Sequence, residues 1–320
     1  MAVYTLITPT QLAESLLQFE LELEGPPRGV SAGIENSTYF FEARDTAGRL
    51  QPLVLSIVEN CPSDQLDFAC ALMVCLRNEA LPVPAPLVGR RHQLSFEIAG
   101  KPAFIVPRAS GAHALRPSPH ECALLGEYMA RAHLAGAAMC ARISNRRGLA
   151  WLERSRAEVA PLLSSDDIAL CDEQIRRYRR LLDTDLPRGA IHADLFRDNA
   201  LFENGTLAAV IDFLFACTDW WLLDLAIALN DWCSTREAPG FDAQLSTAML
   251  NAYGRVRPFT LAEHDAWQDM LCIAAARFWV SRLLATLNAD RARKDPAEYR
   301  ALLLHRRTIA PPLMTDRPRH

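Results

Sequence analysis

The hydrophobic pattern of the chain changes near Ser118, and this change constrains the fold more than any other feature. Before Ser118, short β-prone runs such as Ser37–Ala43 and Leu53–Val58 alternate with turns, and one strong helical pattern follows them. After it, apolar residues recur at helical spacing, interrupted by a strand-like pair at Ala190–His192 and Thr206–Asp212. The pattern predicts an α+β, two-lobed fold: an N-terminal lobe with an antiparallel sheet and a helix, and a mainly helical C-terminal lobe.

The boundary between the lobes is predicted just after the last N-terminal strand, Pro102–Val106. We therefore assign residues 1–107 to an N-terminal lobe and residues 108–320 to a C-terminal, mainly helical lobe. A length of 320 residues suits two such units. Near the start, Thr10–Glu24 begins with helical spacing that can run into extended chain, and Gly25-Pro26-Pro27 is predicted to break it.

Charge and composition exclude several classes of protein. The net charge of −4 argues against a chain held on nucleic acid or on anionic lipid by bulk charge. There is no run of 18 uncharged apolar residues, so no membrane span is expected, and the start lacks the basic segment of a signal peptide. Nine scattered cysteines without a C-x-x-C pair indicate reduced thiols in a cytoplasmic protein.

Familiar catalytic motifs are absent from the sequence. It contains no G-x-G-x-x-G, no G-x-x-x-x-G-K-[ST], no H-E-x-x-H and no G-x-S-x-G. These absences exclude Walker-type ATPases, the common dinucleotide enzymes, zinc peptidases of the H-E-x-x-H type and most serine hydrolases.

The densest polar cluster in apolar surroundings is His192–Asn199 (H-A-D-L-F-R-D-N), and Asp212 follows at the end of a hydrophobic run. Polar side chains in a buried segment need hydrogen bonds or an ion. Asn199 and Asp212 supply hard oxygen ligands suited to Mg²⁺, which leaves Asp194 to accept a proton from a hydroxyl group. This division of roles predicts phosphoryl transfer.

The other two polar residues of the cluster have supporting roles. His192 is expected to orient the loop by hydrogen bonds rather than to transfer protons. Arg197 is expected either to brace the catalytic aspartate, to touch a γ-phosphate, or to form a surface salt bridge.

This pattern, H-x-D-x-x-x-x-N followed by a hydrophobic strand that ends in Asp, resembles the catalytic and metal-binding signature of the protein-kinase-like superfamily. Asp212 is followed by Phe213 and Leu214 rather than by F-G, and no activation segment is visible before Asp219. That layout is similar to the aminoglycoside/choline phosphotransferase branch, whose members phosphorylate small molecules. The resemblance implies a two-lobed, protein-kinase-like fold.

A narrower resemblance extends over nearly the whole chain. Several segments resemble bacterial homoserine kinases of that branch, and H-A-D-L-F-R-D-N and N-D-W-C are the most specific of them. The segments are Gly33–Phe40 (G-I-E-N-S-T-Y-F), Gly100–Ala103, Arg147–Trp151 (R-G-L-A-W), His192–Asn199, Ile211–Phe213, Asp224–Ile227, Asn230–Cys233 and Arg277–Trp279. The resemblance implies a cytoplasmic enzyme of threonine biosynthesis that uses ATP and Mg²⁺ to convert L-homoserine into O-phospho-L-homoserine.

The nucleotide site is expected in the N-terminal lobe. Protein kinases carry a lysine on the third strand; here Ser56 stands near that place, and Arg90, Arg91, Lys101 and Arg108 are open candidates for a replacement cation. Phe104 or Val106 is a candidate wall for adenine. The residues predicted to bind nucleotide are Ile34, Glu35, Asn36 and Ser37 of the phosphate-side loop, Ser56, Val106 and Arg108.

Homoserine carries a carboxylate, which suits a forked arginine, and an ammonium, which suits an aspartate. Candidates on C-terminal segments are Arg277, Arg282, Asp231 and Asp219. A choline-, ethanolamine- or aminoglycoside-type kinase is the alternative enzyme, and a nucleotide-binding regulator without activity is the alternative outside catalysis. The predicted partner is a small molecule, with no nucleic acid or membrane, and the chain is expected to be a monomer or a homodimer.

Overall fold

The computed structural model describes residues 4–30, 36–234, 240–287 and 294–308. The elements of its N-terminal part are α1 (Pro9–Leu16), β1 (Glu22–Gly29), β2 (Ser37–Arg44), β3 (Leu50–Ile57), α2 (Ser63–Asn78), β4 (Phe96–Ile98) and β5 (Lys101–Pro107). The five strands form one antiparallel sheet in the order β1-β2-β3-β5-β4.

The two faces of this sheet pack against different parts of the molecule. Leu53, Leu55 and Ile57 of β3 lie on one face, in a small apolar cluster with Leu12 and Leu16 of α1. Because side chains alternate along a strand, the residues between them lie on the opposite face. That face belongs to the larger core shared by α2 and the helical lobe.

Ser56 lies on the face that is turned toward the helical lobe. In the register of the sheet it pairs with Thr38 of β2 and with Phe104 of β5, and directly paired residues share a face. Phe104 and Val106 on this face are buried in the larger core. The sheet therefore presents Thr38, Ser56, Phe104 and Val106 toward the junction of the lobes.

The C-terminal part is mainly helical. Its elements are β6 (Ala112–His113), α3 (Pro119–Ala137), α4 (Leu149–Val159), α5 (Ser165–Leu181), β7 (Arg188–Ile191), β8 (Ala200–Glu203), β9 (Thr206–Val210), β10 (Cys217–Trp220), α6 (Trp221–Trp232), α7 (Ala243–Val256), α8 (Leu261–Leu287) and α9 (Pro296–Arg306). Two small antiparallel sheets, β7-β10 and β6-β8-β9, interrupt the helices.

The change of pattern near Ser118 has a local cause. The Ser118 hydroxyl accepts the N–H of Glu121, and the Glu121 carboxylate accepts the N–H of Ser118, which together form a capping box at the start of α3. Pro119 occupies the first helical position, where its missing N–H costs no hydrogen bond.

α8 is the core helix of the helical lobe. By length and composition it could cross a membrane, but most of its apolar stretch is buried. It packs against α4, α5, α6 and α9. The middle of the helix carries Arg277, whose side chain is buried in this core.

Two hydrogen bonds join the lobes beside the strand that ends before Asp212. The Gln65 side chain on α2 donates to the carbonyl oxygen of Ala216 at 2.5 Å. The N–H of Val210 on β9 donates to the carbonyl of Pro82, in the proline-rich segment after α2, at 2.8 Å. The boundary between residues 107 and 108 stays a prediction.

The predicted fold class is confirmed: an antiparallel sheet with helices precedes a mainly helical part. The first helix is shorter than the segment Thr10–Glu24. It ends at Leu16, and after one 3-10 turn Glu20 adopts a left-handed conformation (φ 58°) that leads into β1. Gly25-Pro26-Pro27 lies inside β1, where the pairing with β2 shifts register, rather than ending an element.

Candidate active site

The polar segment His192–Asn199 is the loop that connects β7 with β8. Asp224, in the first turn of α6, accepts the N–H of His192 at 3.0 Å and the N–H of Ala193 at 2.7 Å. Ala193 has a left-handed backbone (φ 63°), which this pair of hydrogen bonds holds in place. Asp224 therefore positions the loop. The D-L-A-I segment also suggests a helix-capping aspartate, but this interpretation is wrong, because no side chain caps α6.

A buried polar network supports Asp224 from behind. His133 on α3 donates from Nε2 to Asp224 Oδ2 at 3.1 Å, and its Nδ1 accepts from the Tyr253 hydroxyl at 2.8 Å. Arg257 donates from Nε to that hydroxyl at 2.8 Å and pairs with the Glu263 carboxylate. Burial opposes ionisation of Asp224, but its hydrogen bonds hold the pKa of the carboxyl below its ordinary value.

Both ring nitrogens of His192 are engaged within the loop. Nε2 lies 2.9 Å from the carbonyl oxygen of Ile211, and Nδ1 accepts the N–H of Asp194 at 3.3 Å. Burial lowers the pKa of this histidine, so the neutral ring is favoured. These contacts orient the loop: His192 connects the backbone of Asp194 to that of Ile211, which lies between β9 and Asp212.

Asp194, Asn199 and Asp212 converge at this point. The Asn199 side chain donates from Nδ2 to the backbone carbonyl oxygen of Asp194 at 2.7 Å. The backbone carbonyl of Asn199 accepts the N–H of Ile211 at 3.0 Å. Burial, followed by the negative charge of Asp212, raises the pKa of Asp194 to about 8. The carboxyl groups of Asp194 and Asp212 therefore lie close together in a partly desolvated environment, which favours binding of a cation.

The donor atoms suit a divalent metal that is shared with a phosphate. Because Nδ2 of Asn199 faces Asp194, the Oδ1 atom is left to act as a ligand beside the Asp212 carboxylate. Within the described ranges, no group of three His, Cys, Asp or Glu side chains is arranged to hold a metal. Two protein oxygens with remaining positions for phosphate and water are typical of Mg²⁺ in nucleotide enzymes.

Arg197 and Asp231 pair with each other. The Asp231 carboxylate accepts the backbone N–H of Arg197 at 2.8 Å and its Nε at 3.1 Å. Of the roles considered for Arg197, the structure shows a salt bridge, and it anchors the loop to α6. The same contacts engage Asp231, which was considered as a partner for an ammonium group.

The two candidate arginines on α8 have different surroundings. Arg277 is buried, and its Nε and Nη1 atoms have no hydrogen-bond partner among the described residues. Arg282 donates to the carbonyl of Asp295 at 2.7 Å and to the Glu298 carboxylate at 2.8 Å. Asp219 is also engaged, since it accepts hydrogen bonds from the Asn145 amide and from the backbone N–H of Trp220.

Comparison with known proteins agrees with this geometry. The sequence profile of the phosphotransferase enzyme family matches residues 27–259. A homoserine kinase of Cupriavidus metallidurans is 40% identical over 88% of this chain and 89% of its own length. A homoserine kinase of Methylobacillus flagellatus is 38% identical over 95% of both chains. The chain belongs to the phosphotransferase enzyme family. The resemblance to its homoserine kinases is confirmed.

Solved structures of other small-molecule phosphotransferases have a similar fold. An amicoumacin kinase in complex with AMP-PNP, Ca²⁺ and its antibiotic superposes with a TM-score of 0.68 and 17% identity, over 93% of this chain and 91% of that chain. An aminoglycoside phosphotransferase from Alicyclobacillus acidocaldarius superposes with a TM-score of 0.62 and 14% identity, over 95% and 96%. At these identities the likeness concerns the fold alone.

On the nucleotide side of this phosphotransferase, the phosphate-side loop is described only in part. Ile34 and Glu35 lie outside the described residues. Ser37 is buried; its hydroxyl donates to Glu59 Oε1 at 2.5 Å and accepts the N–H groups of Tyr4 and Thr5. This hydroxyl therefore stabilises the end of the sheet.

Asn36 and Lys101 belong to the same corner of the sheet. The Asn36 side chain accepts the N–H of Glu59 at 3.3 Å, and Lys101 at the start of β5 forms an ion pair with the Glu59 carboxylate. The corner lies at the end of the sheet where the phosphate-side loop enters β2. Lys101 is thereby the candidate cation that the structure places beside that loop.

The remaining nucleotide-side candidates lie on or near the sheet. Ser56 is partly exposed on the face toward the helical lobe, and Val106 is buried on the same face. Arg108 follows β5, donates its N–H to the carbonyl of Pro52, and stacks over the Phe40 ring at 4.3 Å. Arg90 and Arg91 are exposed, and Arg90 pairs with Glu20.

Sequence reasoning missed Arg147 as an individual residue. Its guanidinium donates from Nη1 to Ser281 on α8 at 3.1 Å and stacks over the Phe215 ring at 4.1 Å. The R-G-L-A-W segment was recognised as similar to homoserine kinases, but only the fold brings its arginine to α8. The sequence clue that could have identified Arg147 is its position in a segment that resembles homoserine kinases.

Proposed function

We propose that this chain is an ATP-dependent homoserine kinase, which transfers the γ-phosphate of ATP to the hydroxyl of L-homoserine and yields O-phospho-L-homoserine. The observation that carries the proposal is the convergence of Asp194, Asn199 and Asp212 in a chain whose homoserine kinase relatives cover nearly its whole length. Such an activity belongs to threonine biosynthesis, and a cytoplasmic location follows from the same metabolic role.

Asp194 is the proposed catalytic base. Its carboxylate accepts the hydroxyl proton of the substrate while the oxygen attacks the γ-phosphorus and ADP leaves. His192 and Asn199 hold the loop around Asp194 through their hydrogen bonds to its backbone. Arg197 acts at a distance from the reacting atoms, because its salt bridge with Asp231 anchors the loop.

Asn199 and Asp212 are the proposed metal ligands, and Mg²⁺ is the proposed metal. When bound, the ion neutralises phosphate charge and aligns the γ-phosphate with the acceptor. The chain contributes the Asn199 Oδ1 atom and the Asp212 carboxylate. Asp212 has a left-handed backbone conformation (φ 64°), which turns the chain sharply just after the end of β9.

ATP is proposed to lie between the sheet and the loop. Val106 and Phe104 lie on the sheet face turned to the junction, so they fit an adenine wall, and Ser56 lies beside them. Backbone N–H groups of residues 34–37 are proposed to meet the phosphates, with Lys101 next to that loop. Arg108, at the end of β5, is proposed to border the nucleotide.

The test is an acceptor panel with ADP release as the readout. With ATP and Mg²⁺, L-homoserine is expected to give the highest kcat/KM among L-homoserine, choline, ethanolamine and an aminoglycoside. Preference for another acceptor identifies a different small-molecule kinase of the family. Absence of ADP release with every acceptor, despite ATP binding, identifies a regulator without activity.

A further inference from the structure

A buried guanidinium on α8 has two nitrogen atoms without hydrogen-bond acceptors among the described residues. Arg277 is 3% exposed, and within the described ranges its Nε and Nη1 atoms have no partner. A buried guanidinium with unused donors is costly, because the group has lost its water without gaining full replacement. Such a group is retained most readily when a ligand supplies the missing acceptors.

A second guanidinium lies beside it. Arg147 donates to Ser281, which is one helical turn after Arg277 on α8, and residues four apart share one side of a helix. The charges are close enough to matter: burial and then the positive charge of Arg147 lower the pKa of Arg277. Two arginines that repel each other at one place favour an anion between them.

Contacts of the two arginine-bearing segments lead to the proposed site of transfer. Phe278, the neighbour of Arg277, packs against Phe196 of the catalytic loop with ring centroids 4.5 Å apart. Arg147 stacks over Phe215, which lies three residues after the proposed metal ligand Asp212. The pair therefore approaches the site of transfer from the helical lobe, through α8 and the segment before α4.

We propose that Arg147 and Arg277 bind the carboxylate of the amino-acid acceptor and make this enzyme specific for acceptors that carry one. This inference rests on the proposed function. Three carbon atoms separate the hydroxyl oxygen of homoserine from its carboxylate carbon, so one end can reach the arginines while the other faces Asp194. The arginines take no part in the bond changes; they determine specificity by orienting the acceptor.

A γ-phosphate is the other anion that could meet such a pair. Two arguments favour the carboxylate. Asn199 and Asp212 are the proposed ligands of a metal that would meet the phosphate, and α8 packs on α4, α5, α6 and α9 rather than on the nucleotide-side sheet. A neutral acceptor would leave Nε and Nη1 of the buried Arg277 without a charged partner, which produces strong rejection.

The experiment compares two acceptors that differ only in charge at one end: L-homoserine and L-homoserine amide. The wild-type enzyme is expected to favour L-homoserine by on the order of 100-fold in kcat/KM, the usual scale for loss of a charged hydrogen-bonded pair. Arg277→Gln is expected to lower kcat/KM for L-homoserine by about the same factor, mainly through KM, while the amide changes less than about threefold.

Arg147→Gln should act in the same direction, and Arg277→Lys should keep part of the preference. Arg156→Gln is the matched control, because Arg156 on α4 pairs with Asp172 at the surface and should leave both acceptors unchanged. The KM for ATP is measured for every variant, since a phosphate contact would raise it.

The outcomes separate the two levels of the proposal. Failure of the wild type to phosphorylate L-homoserine overturns the proposed function and this inference together. Equal turnover of acid and amide by the wild type, a measurement that needs no variant, overturns the inference while the kinase stands. An equal loss for both acceptors in Arg277→Gln, or a raised KM for ATP alone, assigns the pair to phosphate and also overturns it.

Discussion

Two charged regions meet at the candidate catalytic loop, and they are built in opposite ways. Behind the loop, Asp224, His133, Tyr253, Arg257 and Glu263 form a chain in which each group has a partner of matching chemistry. In front of it, Asp194 faces the negative charge of Asp212, and Arg277 has unused donors. The first group, called the bonded region below, stabilises the fold. The second group, called the unbalanced region below, requires ligands.

The difference teaches where function lies in this fold. Natural sequences satisfy buried polar groups unless the site has another use for them. The fully bonded network fixes the backbone of His192 and Ala193 through Asp224. The unbalanced groups are the ones that a metal, a phosphate and an acceptor carboxylate would complete.

The largest expected effect comes from the unbalanced region. Asp194→Asn should lower kcat with L-homoserine by about 1,000-fold, because a general base contributes on this scale. The free energy of unfolding at pH 7 should stay equal or rise, since the substitution removes a partly buried carboxyl that the negative charge of Asp212 opposes. Steady-state kinetics and urea unfolding of one preparation check both results.

Asp198→Asn is the matched control for that substitution. Asp198 lies in the same loop but is exposed and pairs with Lys294 at the surface. Its kcat should remain near that of the wild type. Equal losses for the two variants would assign the effect to the loop as a whole and contradict a special role for Asp194.

Substitutions in the bonded region should change the free energy of unfolding rather than kcat. Arg257→Gln leaves the fully buried Glu263 carboxylate without its guanidinium and should lower the free energy of unfolding by about 3 kcal/mol. The folded fraction should keep most of its kcat, because Arg257 touches no reacting group. Arg44→Gln, which removes a half-exposed ion pair with Glu24, should cost less than about 1 kcal/mol.

Arg277→Met sharpens the comparison because it removes a buried arginine from the other region. Since two nitrogens of the guanidinium lack acceptors, an uncharged methionine, which is shorter but fills the space of the arginine's aliphatic stem, should leave the free energy of unfolding unchanged or raise it by about 1 kcal/mol. Urea unfolding at pH 7 measures this change. A loss as large as that of Arg257→Gln would mean that Arg277 is bonded like the rest of the core.

Buried histidines should also make the free energy of unfolding depend on pH. Burial lowers the pKa of His133 and of His192 below the ordinary 6.5, so the unfolded chain binds more protons at acid pH. Their contribution is fully present above pH 6.5 and is lost as pH falls below it, by about 1 kcal/mol per pH unit for each histidine.

His133→Gln tests this assignment. The variant should show a smaller difference in unfolding free energy between pH 7.5 and pH 5.5 than the wild type does. His120→Gln, at an exposed histidine that contacts the Gly205 carbonyl, should retain the wild-type difference. A wild-type stability that is flat over this range would contradict neutral histidines in the bonded region.

The candidate catalytic loop could be proposed from the sequence because its chemistry is local. His192, Asp194 and Asn199 are neighbours along the chain, and Asp212 follows soon after a hydrophobic run, so spacing alone indicates one site. The two-lobed fold was predictable for a similar reason, since the change from strand to helix periodicity is written in consecutive residues. The capping box at Ser118 marks it.

What could not be predicted depends on contacts between distant segments. Arg277 and Arg282 looked equivalent, but five residues along a helix turn the side chain to a different side, where Arg282 meets Glu298. Arg147 reaches α8 only through packing of the loop before α4. Ser37 is predicted to belong to the phosphate-side loop because it follows Ile34, Glu35 and Asn36 in the sequence. In the structure its hydroxyl donates a hydrogen bond to the Glu59 carboxylate.

The most direct measurement of the central claim is identification of the product by ³¹P NMR and mass spectrometry after incubation with ATP, Mg²⁺ and L-homoserine. The account predicts O-phospho-L-homoserine in stoichiometric amount with ADP for the wild-type chain and for Asp198→Asn, and none above background for Asp194→Asn. ADP without the phosphorylated amino acid, or equal product from Asp194→Asn, would contradict it.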